Sequence, residues 1–282
     1  MAGNEFDNLK QTIWNNRLQV ALKKLLVYGN LANTKYEGEA RRGGTVKISQ
    51  LGEVDTGDYT AYSDMTFQTL DDAQLSLVID QQKYFAFQLD VTDTVFIPMD
   101  LMAAGIDRGT YKIRDTIDQF ISGKYTDAGI SYGSSASPKA TSSGSVIQHL
   151  AEFFETITEG NIPLDGRWAT LPPWVFTKLT LAGVDKESPN RDVFQEGYVQ
   201  NVVGFSRLYQ TNNTTQIRTS VTTIMSSAGN EAIAYAGAID GNIRILPAEK
   251  RRATNVDGLW VYGAKVTRPD MLAVMYSTET AN

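Results

Sequence analysis

Few residues in this chain have the types and spacing that catalysis requires. The sequence contains one histidine, His149 in the stretch HLAEFF, and no cysteine. A Ser-His-Asp arrangement would have to use that histidine, and no GxSxG turn is present to expose a serine. Phosphate-binding loops of the GxxxxGKS/T and GxGxxG types are absent as well. We therefore expect no catalytic residue, no cofactor and no metal ion, and interpret His149 as a half-exposed helical side chain.

Two clusters of charge suggest binding instead. The first contains Asp55, Asp58, Asp64, Asp71 and Asp72. These acids lack the spacing and the bidentate glutamate of an EF-hand, so we interpret them as a solvated loop. The second cluster is Lys250, Arg251 and Arg252 beside Glu249. It could contact nucleic acid, but a loop or subunit contact is the interpretation we favour.

Charge is unevenly distributed along the chain. The net charge of −6 argues against a broad, sequence-independent grip on nucleic acid. Residues 1–42 hold seven Lys or Arg against four Asp or Glu, whereas residues 43–100 hold two against ten. Two alternatives stay open: an acidic hairpin that is merely solvated, or basic and acidic segments that meet on different copies of the chain.

The elements that position these clusters begin with an alternating stretch. From Gln74 to Asp90 the odd positions are mostly apolar and the even positions mostly polar, a period of 2 that is typical of a strand. One uninterrupted strand would span about 56 Å. Its odd face is apolar at both ends and polar at Gln81 and Lys83. We therefore expect one long strand that serves two separate packing sites.

A long helix is predicted next, from Pro98 to Lys124, with proline in the first turn where its missing N–H costs little. Its apolar stripe repeats every four residues: Leu101, Gly105, Gly109, Ile113, Ile117 and Ile121. A glycine inside a helix costs about 1 kcal/mol relative to alanine. Gly105 and Gly109 therefore predict that another backbone packs closely against this face.

The rest of the chain reads as a mixture of helices and strands. Residues 4–28 predict an amphipathic helix with Trp14, Leu18, Leu22 and Leu25 as its stripe. Residues 126–143 are rich in Gly, Ser and Ala and predict a connector to a second domain. A further helix is expected to turn six side chains inward: Val146, Ile147, Leu150, Phe153, Phe154 and Ile157. A strand is predicted around Trp168–Leu171, strand and turn in YVQNVVGFSRLYQTNN, a buried strand in NEAIAYAGA, and further strands from Gly241 onward.

Composition is that of a soluble globular protein, with 42% hydrophobic and 21% charged residues over 282 positions. That length can bury a large core and accommodate two domains. No apolar run approaches 18 residues, and the segment MAGNEFDNLK lacks the form of a signal peptide.

Several segments in the same order carry a family resemblance. The run IWNNRLQVALKKLLVYGNLANTKYEGEARRGGTVKI resembles the N-terminal region of tailed-phage major capsid proteins. KYFAFQLDVTD with the long helix after it resembles the next part of that family. GRWATLPPWVFTKL, FQEGYVQNVVGFSRLYQTNN and GLWVYGAKVTRPDMLAVM resemble its later segments. The resemblance covers nearly the whole chain.

The resemblance implies a mixed α+β fold, the Hong Kong 97-like major capsid fold. Residues 1–43 would be an N-terminal arm and residues 44–80 a protruding hairpin, the E-loop. Residues 81–142 and 239–282 would form a discontinuous peripheral domain, with the long helix as its spine. Residues 143–238 would form the axial domain.

The same resemblance implies a structural protein and not an enzyme. Copies would assemble as hexamers and pentamers into an icosahedral virion shell around double-stranded DNA, after synthesis in the bacterial host cytoplasm. Contact with the DNA would be independent of its sequence, with portal, scaffolding and decoration proteins as further partners and no membrane. One alternative is an encapsulin-like compartment of the same fold around cargo protein. Another is an unrelated glycosidase-like enzyme with paired carboxylates.

The expected subunit interface draws on the arm and the E-loop. Its residues are Trp14, Leu18, Arg41, Arg42, Asp58, Asp71, Asp72, Leu75 and Leu77, with Gly105 and Gly109 packing the spine helix. We expect hairpin acids of one copy to pair with arm bases such as Arg41 and Arg42 of another. Some members of the family join a hairpin lysine to a neighbour's asparagine. No lysine occurs here from Ile48 to Gln82, so we expect a non-covalent shell.

Overall fold

The computed structural model describes residues 27–36, 44–51, 56–62, 64, 67, 69, 72–92, 101–164, 166–183, 198–214, 222–225 and 232–280. Its helices are α1 (Tyr28–Leu31), α2 (Leu101–Ser122), α3 (Val146–Glu159) and α4 (Pro173–Leu181), with short 3-10 turns at Gly123–Asp127 and Pro269–Met271. The strands are β1 (Thr45–Leu51), β2 (Asp72–Val78), β3 (Gln81–Asp90), β4 (Ile130–Tyr132), β5 (Lys139–Thr141), β6 (Trp168–Leu171), β7 (Tyr198–Val202), β8 (Phe205–Gln210), β9 (Thr222–Met225), β10 (Ile233–Pro247), β11 (Ala253–Val266), β12 (Leu272–Met275) and β13 (Ser277–Glu279).

The alternating stretch forms two strands and not one. β2 pairs antiparallel with β1 in a two-stranded sheet, from Thr45↔Val78 to Leu51↔Asp72. β3 pairs antiparallel with β11 in a sheet of order β10-β11-β3. The expectation of an uninterrupted strand is therefore wrong, whereas the expectation of two packing sites is confirmed.

Gly263 explains where the strand breaks. A Cβ on this β11 residue would lie 2.2 Å from the carbonyl oxygen of Val78 and 3.0 Å from the Cα of Ile79. The chain therefore crosses directly over Gly263 instead of running beside it, and the ladder with β11 begins only at Gln81. A close approach of two backbones is one of the few positions that specifically need glycine.

The spine helix, α2, packs on β3 through aromatic rings. A Cβ on Gly105 would lie 2.6 Å from the Phe87 ring, and one on Gly109 would lie 2.7 Å from the Phe85 ring. The expectation of close packing at both glycines is confirmed, but the expected partner is wrong, because side-chain rings and not a backbone fill the space. Phe85 also lies 2.7 Å from the Cβ position of Gly258 in β11. Its ring thus occupies a slot between two glycines.

The C-terminal bound of α2 differs slightly from the predicted Lys124. The described helix begins at Leu101 and ends at Ser122, after which the chain tightens into a 3-10 turn. Pro98 lies outside the described residues. The 22-residue helix is about 33 Å long at 1.5 Å per residue.

The described residues form two large apolar cores. The spine core lies between α2 and the β10-β11-β3 sheet and includes Ile113, Ile117, Ile121, Trp260 and Tyr262. The second core joins α3 and α4 to β6 and β8, and includes Leu150, Phe153, Leu179, Phe205 and Leu208.

The inward face predicted for α3 is largely confirmed. Val146, Leu150, Phe153 and Ile157 are buried, and Phe154 packs at the margin of the second core. Ile147 is the exception, with 39% of its surface exposed. It follows Val146 by one position, a rotation of about 100° that turns it toward solvent.

The segment predicted as a connector contains two strands that the end of the chain completes. β4 pairs in parallel with β12, and β5 pairs in parallel with β13. Ala273 and Met275 of β12 lie in the second core, whereas the neighbouring Leu272 lies in the spine core. β12 therefore contributes side chains to both cores and connects them.

The slot around Phe85 gives the first prediction. Gly109→Ala should lower the free energy of unfolding, because an overpacking cost of about 1–3 kcal/mol exceeds a gain in helix propensity of about 1 kcal/mol. Gly109→Leu should lower it further and reduce soluble yield. Urea denaturation measures the change. Gly123→Ala is the matched control, since a Cβ there meets no atom within 4 Å. Unchanged stability in both Gly109 variants would contradict close packing.

Candidate assembly surfaces

The described segment around α1 is part of the spine core. Tyr28 is fully buried there, and Val27 is buried beside it. Asn33 donates its N–H to the carbonyl oxygen of Ile233 at 2.8 Å and accepts the N–H of Tyr235 at 2.8 Å, which attaches the segment to β10. The described residues from Val27 onward therefore contribute to the core of the molecule, although the resemblance assigns residues 1–43 to an arm.

A buried carboxylate on the spine helix holds this segment in place. Asp118 accepts the Gly29 N–H at 2.9 Å and the Val27 N–H at 3.5 Å. The side-chain amide of Asn213 donates to Asp118 at 2.7 Å and to Asp115, one turn earlier, at 3.1 Å. Ser122 donates its hydroxyl to the Asn213 carbonyl oxygen. We call Asp115, Asp118, Ser122 and Asn213 the polar hub.

Burial dominates the electrostatics of the hub. It raises the pKa of Asp118 above the usual carboxyl range, although the hydrogen bonds from Asn213 and the arm backbone act in the opposite direction. Burial likewise raises the pKa of Tyr28, whose hydroxyl lies 2.9 Å from that of Thr170 in β6. Lys112 lies 3.6 Å from Asp115 but is mostly exposed, so it offsets little of the burial.

Sequence analysis missed this hub, because acids on a helix usually face water. One signal was available: Asp115, Asp118 and Ser122 follow one another at spacings of three and four, which places them on one helix face.

The interface residues predicted from the sequence fall into three groups. Trp14, Leu18, Arg41, Arg42 and Asp71 lie outside the described residues, and Asp72 begins β2 without a described side chain. Asp58 is exposed. Leu75 is partly buried and Leu77 fully buried, packed with Val46, Ile48 and Ala236 of the same chain.

That burial removes Leu77 from the interface prediction, because no surface of its side chain remains for another subunit. A small apolar cluster packs the β1–β2 hairpin against β10 of the β10-β11-β3 sheet. It contains Val46, Ile48, Leu77 and Ala236. Ala236 is the register partner of Gly263, so two small residues lie side by side where the hairpin crosses.

Between β1 and β2, outside this apolar cluster, the hairpin exposes large aromatic side chains to solvent. Tyr59 and Phe67 expose 69% and 88% of their surface, and Tyr62 is fully exposed. Asp58, just before Tyr59, and Asp64, between Tyr62 and Phe67, are exposed as well. We call residues 52–71, which connect β1 to β2, the acidic loop.

A second exposed surface lies at the far end of the β10–β11 hairpin. Ile245 and Leu246 expose 52% and 48% of their surface, on alternate faces of an edge strand. Arg244 pairs with Asp257 across the hairpin, with both nitrogen–oxygen distances near 3 Å (2.9 and 3.0). The exposed Lys250, Arg251 and Arg252 follow, and among the described residues no acid lies within 4.0 Å of their charged groups. We call residues 242–252 the basic tip.

The geometry offers no catalytic arrangement in the described part of the chain. His149 lies 3.1 Å from the Thr141 hydroxyl through Nδ1, and partial burial lowers its pKa. The described residues contain no cluster of three or more potential metal-binding His, Cys, Asp or Glu side chains. Within the same residues, no helix combines the length and hydropathy needed to span a bilayer.

Comparison with solved structures identifies the class of fold. The chain is similar to a structure of Mycobacterium phage Che8, with 23% sequence identity, a TM-score of 0.79, and coverage of 94% of this chain and 96% of that one. It is similar to the capsid structure of the cyanophage P-SCSP1u, with 14% identity, a TM-score of 0.75, and coverage of 99% and 96%. A third match is the asymmetric unit of the mature capsid of bacteriophage PhiM1, with 12% identity, a TM-score of 0.70, and coverage of 96% and 92%.

No protein-family model matches the sequence, and no curated protein matches it. The structural likeness at these identities establishes the fold. The chain has the mixed α+β fold of phage capsid structures over nearly its full length, which confirms the fold class expected from the resemblance.

The buried arm root gives the second prediction. Deleting residues 1–26 should leave a folded chain, because Tyr28 and the N–H groups on Asp118 remain. Deleting residues 1–30 should instead lower stability by about 3–5 kcal/mol, the cost of removing a large core side chain. Urea denaturation measures both effects. An equal loss of stability in the two deletions would contradict the role of Tyr28 in the core.

The third prediction follows from the raised pKa of Asp118. The folded chain binds this proton more tightly than the unfolded chain, whose carboxyl pKa is about 4. The contribution to stability is therefore fully present below about pH 4 and is lost as pH rises through the higher folded pKa. The free energy of unfolding of the wild type, minus that of Asp118→Asn, should fall between pH 4 and pH 7. Denaturation of dissociated subunits across that range measures it, with the exposed Asp127→Asn as control. Parallel pH profiles for wild type and Asp118→Asn would contradict the prediction.

Proposed function

We propose that this protein is the major capsid protein of a tailed bacteriophage, and that its copies form an icosahedral shell around double-stranded DNA. The observation that carries the proposal is the fold of nearly the full chain. Matches to three phage structures cover 94–99% of it, with TM-scores of 0.70–0.79. In this proposal the protein resides in the virion, with copies arranged as hexamers and pentamers.

The exposed surfaces support a self-assembling role. A monomeric protein rarely leaves several large aromatic and aliphatic side chains in water on two protruding hairpins. Here Tyr59, Tyr62 and Phe67 are exposed on one hairpin, and Ile245 and Leu246 on the other. Assembly would cover both sets and would remove the free edge of β10, which otherwise invites uncontrolled pairing.

The contacts also support a division of the chain that refines the one expected from the resemblance. Residues 1–43 form the arm in this proposal, and residues 44–80 form the E-loop. The peripheral domain comprises residues 81–142 and 239–271 with α2 as its spine. The axial domain comprises residues 143–238 together with β12, because Ala273 and Met275 pack in its core, whereas β13 stays with its partner strand β5 in the peripheral domain.

The shell's contacts with DNA are proposed to be independent of the DNA sequence. A net charge of −6 is in keeping with weak contacts of this kind. Portal, scaffolding and decoration proteins are further proposed partners. An encapsulin-like compartment of the same fold is the rival function, and it differs in what the shell contains.

The fourth prediction is the test of this function. Purified protein at high concentration, or particles from the native source, should show closed shells of uniform diameter by electron microscopy. Particles from the native source should contain DNA that resists nuclease until the shells are opened. Protein cargo in place of DNA would favour the compartment. Absence of shells from both preparations would overturn the proposal.

A further inference from the structure

We infer that a cyclic network of hydrogen bonds couples the arm root, residues 27–33, to the β6-β8-β7 sheet by way of the spine helix. A neighbouring copy that holds or displaces the arm root would then change how firmly this sheet is held. That role in assembly rests on the proposed function, whereas the coupling itself lies within one chain and can be measured without shells.

One connection between the arm root and the sheet runs through the spine helix. The Gly29 N–H donates to Asp118 at 2.9 Å, and the side-chain amide of Asn213 donates to the other oxygen of that carboxylate at 2.7 Å. The backbone N–H of Asn213 donates to the Thr211 hydroxyl at 3.1 Å. The Thr211 N–H donates to the carbonyl oxygen of Leu171 in β6 at 3.1 Å. A continuous series of hydrogen bonds therefore joins the arm root to β6.

The other connection is a single direct contact. The hydroxyl of Tyr28 lies 2.9 Å from that of Thr170 in β6. Tyr28 precedes Gly29 and Thr170 precedes Leu171, so both connections begin and end at neighbouring residues and close a cycle. We call the residues of this cycle the cyclic network: Tyr28, Gly29, Asp118, Thr170, Leu171, Thr211 and Asn213.

Burial makes the bonds of the cyclic network depend on one another. Its polar side chains expose 5% of their surface or less: Tyr28, Asp118, Thr170, Thr211 and Asn213. A buried group that loses its partner cannot easily replace it with water, so the cost exceeds that of an exposed hydrogen bond. Loss of one bond should therefore weaken the others and not only the two residues that made it.

The arm root is the smallest element in the cyclic network. It contains a helix of four residues without a side-chain cap and one isolated bridge, from Asn33 to Ala234 of β10. The spine helix has 22 residues, and β6 is paired along its length with β8. Short segments open locally at a lower free energy than the elements of the core. Local opening of the arm root would remove the bonds from Gly29 and Tyr28 together, and so both connections to β6.

Coupling of this kind is reciprocal. If the arm root stabilises residues 211–214, those residues must stabilise the arm root by the same free energy. Asn213 reaches the arm root through Asp118, and Tyr28 reaches residues 211–214 through β6. Effects that appear at the far side of each connection therefore distinguish coupling from simple local packing.

The test of this inference, our fifth prediction, is hydrogen exchange of dissociated subunits measured by mass spectrometry. Asn213→Ala should make exchange at residues 27–33 about two- to tenfold faster, the range expected for the loss of a hydrogen bond. Tyr28→Phe removes only a hydroxyl, and exchange at residues 211–214 should rise by a similar factor. In the double variant the two factors should not multiply, because both substitutions interrupt the same cycle.

Ile157→Val is the matched control. It removes one methyl group from the second core and leaves every residue of the cyclic network in place. Exchange at residues 27–33 and 211–214 should stay at the wild-type rate in this variant. If Asn213→Ala does not fold, Thr211→Val tests the same connection, because it removes the hydroxyl that accepts the Asn213 N–H.

Three results would overturn the inference. The first is a change of exchange confined to the substituted segment in either single variant. The second is a double variant in which the two factors multiply, and the third is the same pattern of exchange in Ile157→Val. None of these measurements needs shells, so absence of shells from wild type would count against the proposed function and not against the coupling.

A comparison of shells with dissociated subunits tests the role in assembly. In wild type, exchange at residues 211–214 should differ between the two states, because neighbouring copies act on the arm root in the shell. In Tyr28→Phe shells that difference should be about two- to tenfold smaller, since one of the two connections is lost. Equal differences in wild type and Tyr28→Phe would show that the cyclic network does not transmit assembly to the sheet.

Discussion

The rest of the structure depends on one backbone-on-backbone contact, the crossing of Val78 over Gly263. Because no side chain separates the two segments, the chain can leave the β1–β2 sheet and enter the β10-β11-β3 sheet within two residues. Ala236, the register partner of Gly263, is also small, so Leu77 can be buried against this part of the sheet. Any side chain at position 263 would have to displace the carbonyl of Val78, and with it the direction in which the hairpin projects.

The glycines of the spine helix allow close packing in a different way, against side-chain rings and not against a backbone. At Gly105 and Gly109 the missing side chains make room for the rings of Phe87 and Phe85, so that helix and strand interlock as ridge and groove. Both glycines weaken the isolated helix. Their cost is offset only when β3 is in place, which couples the formation of the helix to the formation of the sheet.

Sequence reasoning reached those parts of the structure that periodicity and glycine placement encode. It found the alternating face of residues 74–90, the stripe of α2 and the inward face of α3, because burial repeats along each of them. It failed at the break between Val78 and Gln81, since that break depends on a glycine 183 positions after Asp80. It also missed the polar hub, in which Gly29, Asp118 and Asn213 meet from three distant parts of the chain. The exposed aromatic residues of the acidic loop were likewise visible as residue types, but not as a surface until their exposure was known.

The return of β12 to both cores constrains how the chain can fold during synthesis. The spine core needs Tyr28 near the beginning of the described chain and Leu272 near its end, and the second core needs Ala273 and Met275. The spine core is incomplete until residue 272 has left the ribosome, and the second core until residue 275, so a nascent chain cannot finish folding domain by domain. Such long-range pairing is slow to form. A chain truncated before β12 would lack Leu272 of the spine core and Ala273 and Met275 of the second core, so a single missing strand would weaken both cores at once.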